Sequence, residues 1–124
     1  MTVITAPPAP THELPGVRFT SLATPSTGST ETSVWRVEVA PDADAQPHRV
    51  TREEIFVGIA GRAVATLDGV AHPLGAGDAL VVRPGVDFAL AADGGEPFRA
   101  LVCQPVGGGA VLPDGEPFTP PWAL

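Results

Sequence analysis

The chain has 124 residues, 44% of them hydrophobic, with Gly 14, Pro 15 and a formal net charge of −7 at pH 7. That is enough for one domain with a real core and too few for two. All seven cationic side chains are Arg, set against fourteen acids, so a phosphate backbone would be repelled and nucleic acid is not an expected partner.

The missing residue types restrict the chemistry further. With no Lys there is no Schiff base, and with no Tyr there is no phenolic acid. The single Cys103 rules out an intrachain disulfide and any CxxC motif, which suits a reducing, cytoplasmic setting. The start MTVITAPPAP lacks the basic and apolar regions of a signal peptide. No apolar stretch approaches membrane-spanning length, so no membrane partner is expected.

Residues 1–15 are Pro-rich and aperiodic, and read as a flexible arm. Beyond them the pattern is β almost throughout. A short strand is expected at Val17 to Phe19, then a Ser/Thr/Gly loop from Pro25 to Thr32. From Ser33 to Ala40 the residues alternate, with Trp35, Val37 and Val39 on one face and Arg36 and Glu38 on the other, as in a half-buried strand. Further strands are expected at Gln46 to Val50, Glu54 to Ile59, Arg62 to Leu67, Val70 to Leu74, Ala79 to Val82, Asp87 to Leu90 and Phe98 to Pro105. Asp68-Gly69 marks a tight hairpin. No helical periodicity is sustained, because Pro or Gly interrupts every long window. The chain is therefore expected to be all-β, a sandwich or barrel over residues 16–106, followed by a C-terminal extension at 107–124 that packs on or beside it.

Two stretches carry a resemblance. DADAQPHRVTREEIFVGIAG, residues 42–61, and GDALVVRPGVDFALAA, residues 77–92, resemble the two motifs of the cupin family. The first motif runs G, five residues, H-x-H, three or four residues, E, six residues, G. His48, Glu54 and Gly61 match it, while Asp42 and Val50 replace the first Gly and the second His. The second runs G, five residues, P-x-G, two residues, H, three residues, N. Gly77 and Gly85 match, while Arg83, Phe88 and Ala92 stand for Pro, His and Asn. The resemblance implies a double-stranded β-helix, or jelly-roll, barrel. It also implies a site inside the barrel, where the family holds a metal ion on its three His and one Glu.

This chain keeps two of those four donors and puts Val50 and Phe88 where the other imidazoles would be. Two protein ligands are too few for a tightly held divalent ion, so a metal-free cupin with no cofactor is expected. His48 then reads either as a general base or acid in an apolar barrel, or as a former ligand hydrogen-bonded to Glu54 in a buried pair. Glu54 orients that imidazole or carries a second proton. Glu53 beside it faces the other way, to solvent. Val50, Phe88, Phe56 and Trp35 line an apolar ligand pocket or simply pack the core. Arg36 and Arg83 are candidates to hold a carboxylate or enolate, or are plain surface. Cys103 reads as an inert small hydrophobe on a buried strand.

The expected function is small-molecule binding, with metal-independent isomerase, lyase or cyclase chemistry that moves a proton through His48. A non-catalytic ligand-binding or regulatory barrel is one alternative. A metal enzyme that completes its ligand set from elsewhere is the other. The resemblance also implies a homodimer, since cupins commonly pair, with a small molecule as the remaining partner.

Overall fold

A computed structural model describes residues 2–124. The strands, in chain order, are β1 (His12–Leu14), β2 (Val17–Ala23), β3 (Thr32–Val39), β4 (Arg49–Val50), β5 (Glu54–Ala60), β6 (Arg62–Leu67), β7 (Val70–Gly75), β8 (Ala79–Val82), β9 (Phe88–Ala92), β10 (Phe98–Pro105) and β11 (Ala110–Val111). One sheet has the order β1-β2-β3-β10-β5-β8, a second β7-β6-β9, and β4 pairs with β11. All named pairings are antiparallel. The sheets enclose one core, in the jelly-roll manner the sequence implies.

The alternation along β3 places its side chains as expected. Trp35, Val37 and Val39 are buried, and Arg36 is exposed on the opposite face. Opposite them on β10, Phe98, Ala100 and Val102 are sealed completely, and Phe56, Leu80 and Val82 continue the wall on β5 and β8. The smaller sheet closes the core with Ala63, Ala65, Leu74 and Phe88. Burying side chains of this size gives roughly 1.5–3 kcal/mol each for the larger ones, which holds the two layers face to face.

Tight turns set the register. Asp68 and Gly69 both have positive φ (47° and 80°), so the β6–β7 connection is the left-handed two-residue turn whose twist matches paired strands. Gly61, one of the motif glycines, has φ +75° between β5 and β6, and a Cβ there would overlap the carbonyl of Pro97. Both constraints act against any side chain, so Gly61→Ala is expected to cost about 2–4 kcal/mol, measured by urea unfolding. A variant as stable as the parent would refute this reading.

The structure departs from the sequence expectations most clearly at two places. Of the stretch Gln46 to Val50, only Arg49–Val50 is strand, because the chain before it meets β9 through a single bridge between His48 and Phe88. Within the Pro-rich arm, His12–Leu14 pairs with β2. This strand was hidden because its partner, not its own pattern, makes it extended. At the other end, Trp122 in the 3-10 turn Pro121–Ala123 stacks on Phe19, with ring centroids 3.6 Å apart and planes at 6°. Ser21 Oγ donates to Trp122 O (2.8 Å) and Ser33 Oγ to Ala123 O (3.0 Å), so the tail is fastened to β2 and β3.

Candidate functional site

The two motifs meet through His48 and Phe88. Each donates its backbone N–H to the other's carbonyl, both at 2.9 Å, which makes them directly opposed residues. The half-buried imidazole of His48 sits edge-on to the Phe88 ring at 5.1 Å and 67°. Phe88 in turn leans on Phe56 at 5.4 Å. Glu54 is two residues from Phe56 on the same inward face of β5, about 7 Å along the strand, and opposite Val82 of β8.

His48 Nδ1 lies 3.0 Å from the carbonyl oxygen of Gln46. A carbonyl can only accept, so Nδ1 carries the proton and Nε2 of the neutral ring is left as the acceptor. The hydrogen bond to Glu54 that one of the two readings of His48 called for is not formed. The imidazole is oriented by the Gln46 carbonyl instead, two residues back in the irregular segment before β4.

Glu54 is 7% exposed and its side chain has no hydrogen bond among the described residues. Burial alone pushes its carboxyl up to about 8. At pH 7 it is mostly protonated, a hydrogen-bond and proton donor rather than an anion. Among the described residues, the one sealed polar side-chain atom without a partner is Thr24 Oγ1, so the Glu54 oxygens still touch accessible space.

The other candidates divide sharply. Val50, Phe88, Phe56 and Trp35 are 3%, 1%, 6% and 3% exposed and belong to the packed core. Arg36 points outward from β3, and Arg83 is exposed in the turn after β8, so neither shares the inward face that carries Glu54. Cys103 lies on the central strand β10 but on its outer, half-exposed face, which corrects its placement in the interior. Two surface grooves lie outside the barrel. One of ≈ 740 Å³ is lined by residues including Glu13, Arg18 and Glu38, and one of ≈ 360 Å³ is lined by Pro7–Pro10, Arg18, Arg36 and Arg99. Neither includes His48 or Glu54.

Gln104 was missed in the sequence. It is 2% exposed on the inward face of β10, and its Nε2 donates to the carbonyls of Arg52 and Gly109, both at 3.3 Å. It ties the segment leading into Glu54 to the loop before β11. The signal was there, since Gln104 holds the inward position in the Phe98, Ala100, Val102 alternation.

The donor set does not suit the metal ion that the resemblance implies. Among the described residues no three His, Cys, Asp or Glu side chains gather, and the two remaining motif positions are filled by buried Val50 and Phe88. After mild chelation the purified protein is expected to carry far less than one equivalent of Fe, Mn, Ni or Zn. Near-stoichiometric metal by elemental analysis would restore the metal-dependent alternative.

Fold and motif geometry define a cupin-type barrel, and comparison with known proteins makes the family explicit. The sequence matches the Cupin domain family over residues 35–103, and the chain belongs to that family. It is 42% identical over 45 residues to dimethylsulfoniopropionate lyase DddW of Ruegeria pomeroyi, a stretch covering 36% of this chain and 30% of the lyase. The structure is similar to the polyketide cyclase RemF of Streptomyces resistomycificus, with TM-score 0.68 and 21% identity over 82% of this chain and 73% of the cyclase. It is also similar to a cupin-like protein of Thermotoga maritima, with TM-score 0.70 and 23% identity over 81% of this chain and 77% of that one. No helix among the described residues is long and apolar enough to cross a membrane.

Proposed function

We propose that this cupin acts on a small molecule as a metal-independent isomerase, lyase or cyclase, with His48 and Glu54 as its two proton carriers. The observation behind this reading is Glu54. A barrel that needed only packing would put an apolar residue there, whereas Glu54 is buried, unpaired and raised to about 8. His48 Nε2 is the hydrogen-bond acceptor left open by the Nδ1 contact with Gln46, and the Glu54 carboxyl, kept protonated by burial, is the acid. One would accept a proton from the substrate while the other returns one elsewhere on it, so no cofactor is consumed.

The partial match to a lyase and the fold shared with a polyketide cyclase support small-molecule chemistry. With the interior packed, the ligand engages the rim at half-buried His48 rather than an open cavity. The protein works as a cytoplasmic homodimer with no nucleic-acid or membrane partner, as its charge and single free Cys suit.

A non-catalytic ligand-binding or regulatory barrel is the second reading, and the filled interior favours it. Turnover and ligand affinity measured together on His48→Gln and Glu54→Gln separate the two. A loss confined to turnover supports the enzyme, and a loss confined to affinity supports the binder.

A further inference from the structure

On the outer face of the large sheet, β2, β3 and β10 set Arg18, Glu38 and Arg99 side by side in one row, and Thr20, Arg36 and Leu101 in the next. Glu38 divides its carboxylate between its two neighbours: Oε1 lies 2.7 Å from Arg99 Nε, and Oε2 lies 3.9 Å from Arg18 Nη1. Arg36 has no acid opposite it on either strand, and among the described residues it forms no ion pair. Arg18 and Arg99 stand diagonal to it, roughly 7–8 Å away. All three guanidinium groups line the groove of ≈ 360 Å³, and Glu38 is the only acid among the described residues that line it.

The facing wall of the groove is apolar. Pro7–Pro10 of the arm and the exposed side chain of Ile59 form it. The arm is fastened at Thr11, whose backbone N–H donates to Phe19 O (2.8 Å) and whose Oγ1 accepts from the backbone N–H of Ser21 (2.9 Å). Proline fixes φ, so this wall is stiff before a ligand arrives and little ordering is lost on binding.

We propose that this groove binds a small amphipathic carboxylate, an aryl or alkyl acid, with its acid head on Arg36 and its apolar body against the proline arm and Ile59. A guanidinium presents a planar fork that matches a carboxylate, and Arg36 is the fork in the groove that Glu38 leaves free. The chain's charge of −7 works against any anion at long range, so an acid is held only where cations stand closer than the ~8 Å over which salt screens them. A compact inorganic anion would leave the proline wall uncovered, whereas an aryl or alkyl body covers it. Arg36 thus holds a carboxylate outside the barrel rather than within it. The site lies on the reverse of the sheet from Glu54, and it does not rest on the chemistry assigned to His48 and Glu54.

Isothermal titration with phenylacetate, neutral phenylacetamide and inorganic phosphate tests it. Phenylacetate is expected to bind one to one and to weaken as salt is raised, with phenylacetamide and phosphate each weaker by about tenfold or more. Arg36→Gln is expected to lower phenylacetate affinity by about tenfold or more, and Arg36→Lys, which keeps the charge and loses the fork, by less. Ile59→Ser should cost a few-fold through the apolar wall, and Arg83→Gln, in the turn after β8, should change nothing. These side chains are exposed, so each variant should keep the parent's circular dichroism. No saturable binding of phenylacetate at millimolar concentration would overturn the proposal. Equal affinity in the parent and Arg36→Gln would overturn it too, by placing the acid elsewhere on the molecule. Phosphate binding as tightly as phenylacetate would remove the apolar wall from the site and end the amphipathic assignment.

Discussion

Glu54→Gln is expected to stabilise the protein by roughly 3 kcal/mol at pH 7 and roughly 5 kcal/mol above pH 8, and to change little near pH 4. The sign follows from proton counting. In the unfolded chain the carboxyl ionises near its ordinary value of 4.5, while in the folded chain burial holds its proton up to about 8. Between those values the folded state binds more protons than the unfolded one, so stability falls as pH rises across the window. Above pH 8 the loss is complete. Gln has nearly the same shape and does not ionise, so its stability should be flat over this range apart from changes shared with the parent. The measurement is the urea midpoint and slope for both proteins from pH 4 to 8.5. Parallel curves would mean that Glu54 is solvated in the folded protein, and would remove the main support for an acid inside the barrel.

The stability that Glu54 costs the fold bears on what was legible in the sequence. The alternation of Trp35, Val37 and Val39, the Asp68-Gly69 turn and the strand Arg62 to Leu67 were all readable, because each is written in neighbouring residues. The strand His12–Leu14 and the Trp122 stack on Phe19 were not, because both depend on partners brought up from elsewhere in the chain. The site shows the same division. Motif spacing located His48 and Glu54, and the backbone bridge to Phe88 joins the two motifs. Spacing could not say that His48 would bond to Gln46, or that Glu54 would stand alone. Hydrogen-bond partners are settled by side-chain direction and reach, which sequence separation does not encode. Arg36 fails as an interior group for a simpler reason: it alternates with Trp35, so burying one exposes the other.

His48→Gln is expected to lower turnover by about 10² or more while leaving the fold intact and ligand affinity within about tenfold. Gln retains a polar tip that can still meet the Gln46 carbonyl, but it cannot accept and return a proton as the free Nε2 does. Glu54→Gln should also lower turnover, since the carboxyl supplies the second proton. The two losses should differ in their pH dependence. Removing Glu54 takes away the fall in rate that follows its ionisation near pH 8, and removing His48 leaves that alkaline limb in whatever activity remains. This readout separates a proton donor from a residue that merely shapes the barrel. In a binding module the pattern reverses, with affinity lost on Phe88→Ala and hardly changed by His48→Gln. Phe88→Ala also opens a cavity, at about 3–5 kcal/mol, so its affinity must be taken on folded protein confirmed by circular dichroism. Turnover unchanged in His48→Gln would end the catalytic assignment and leave a ligand-binding barrel whose buried acid serves recognition.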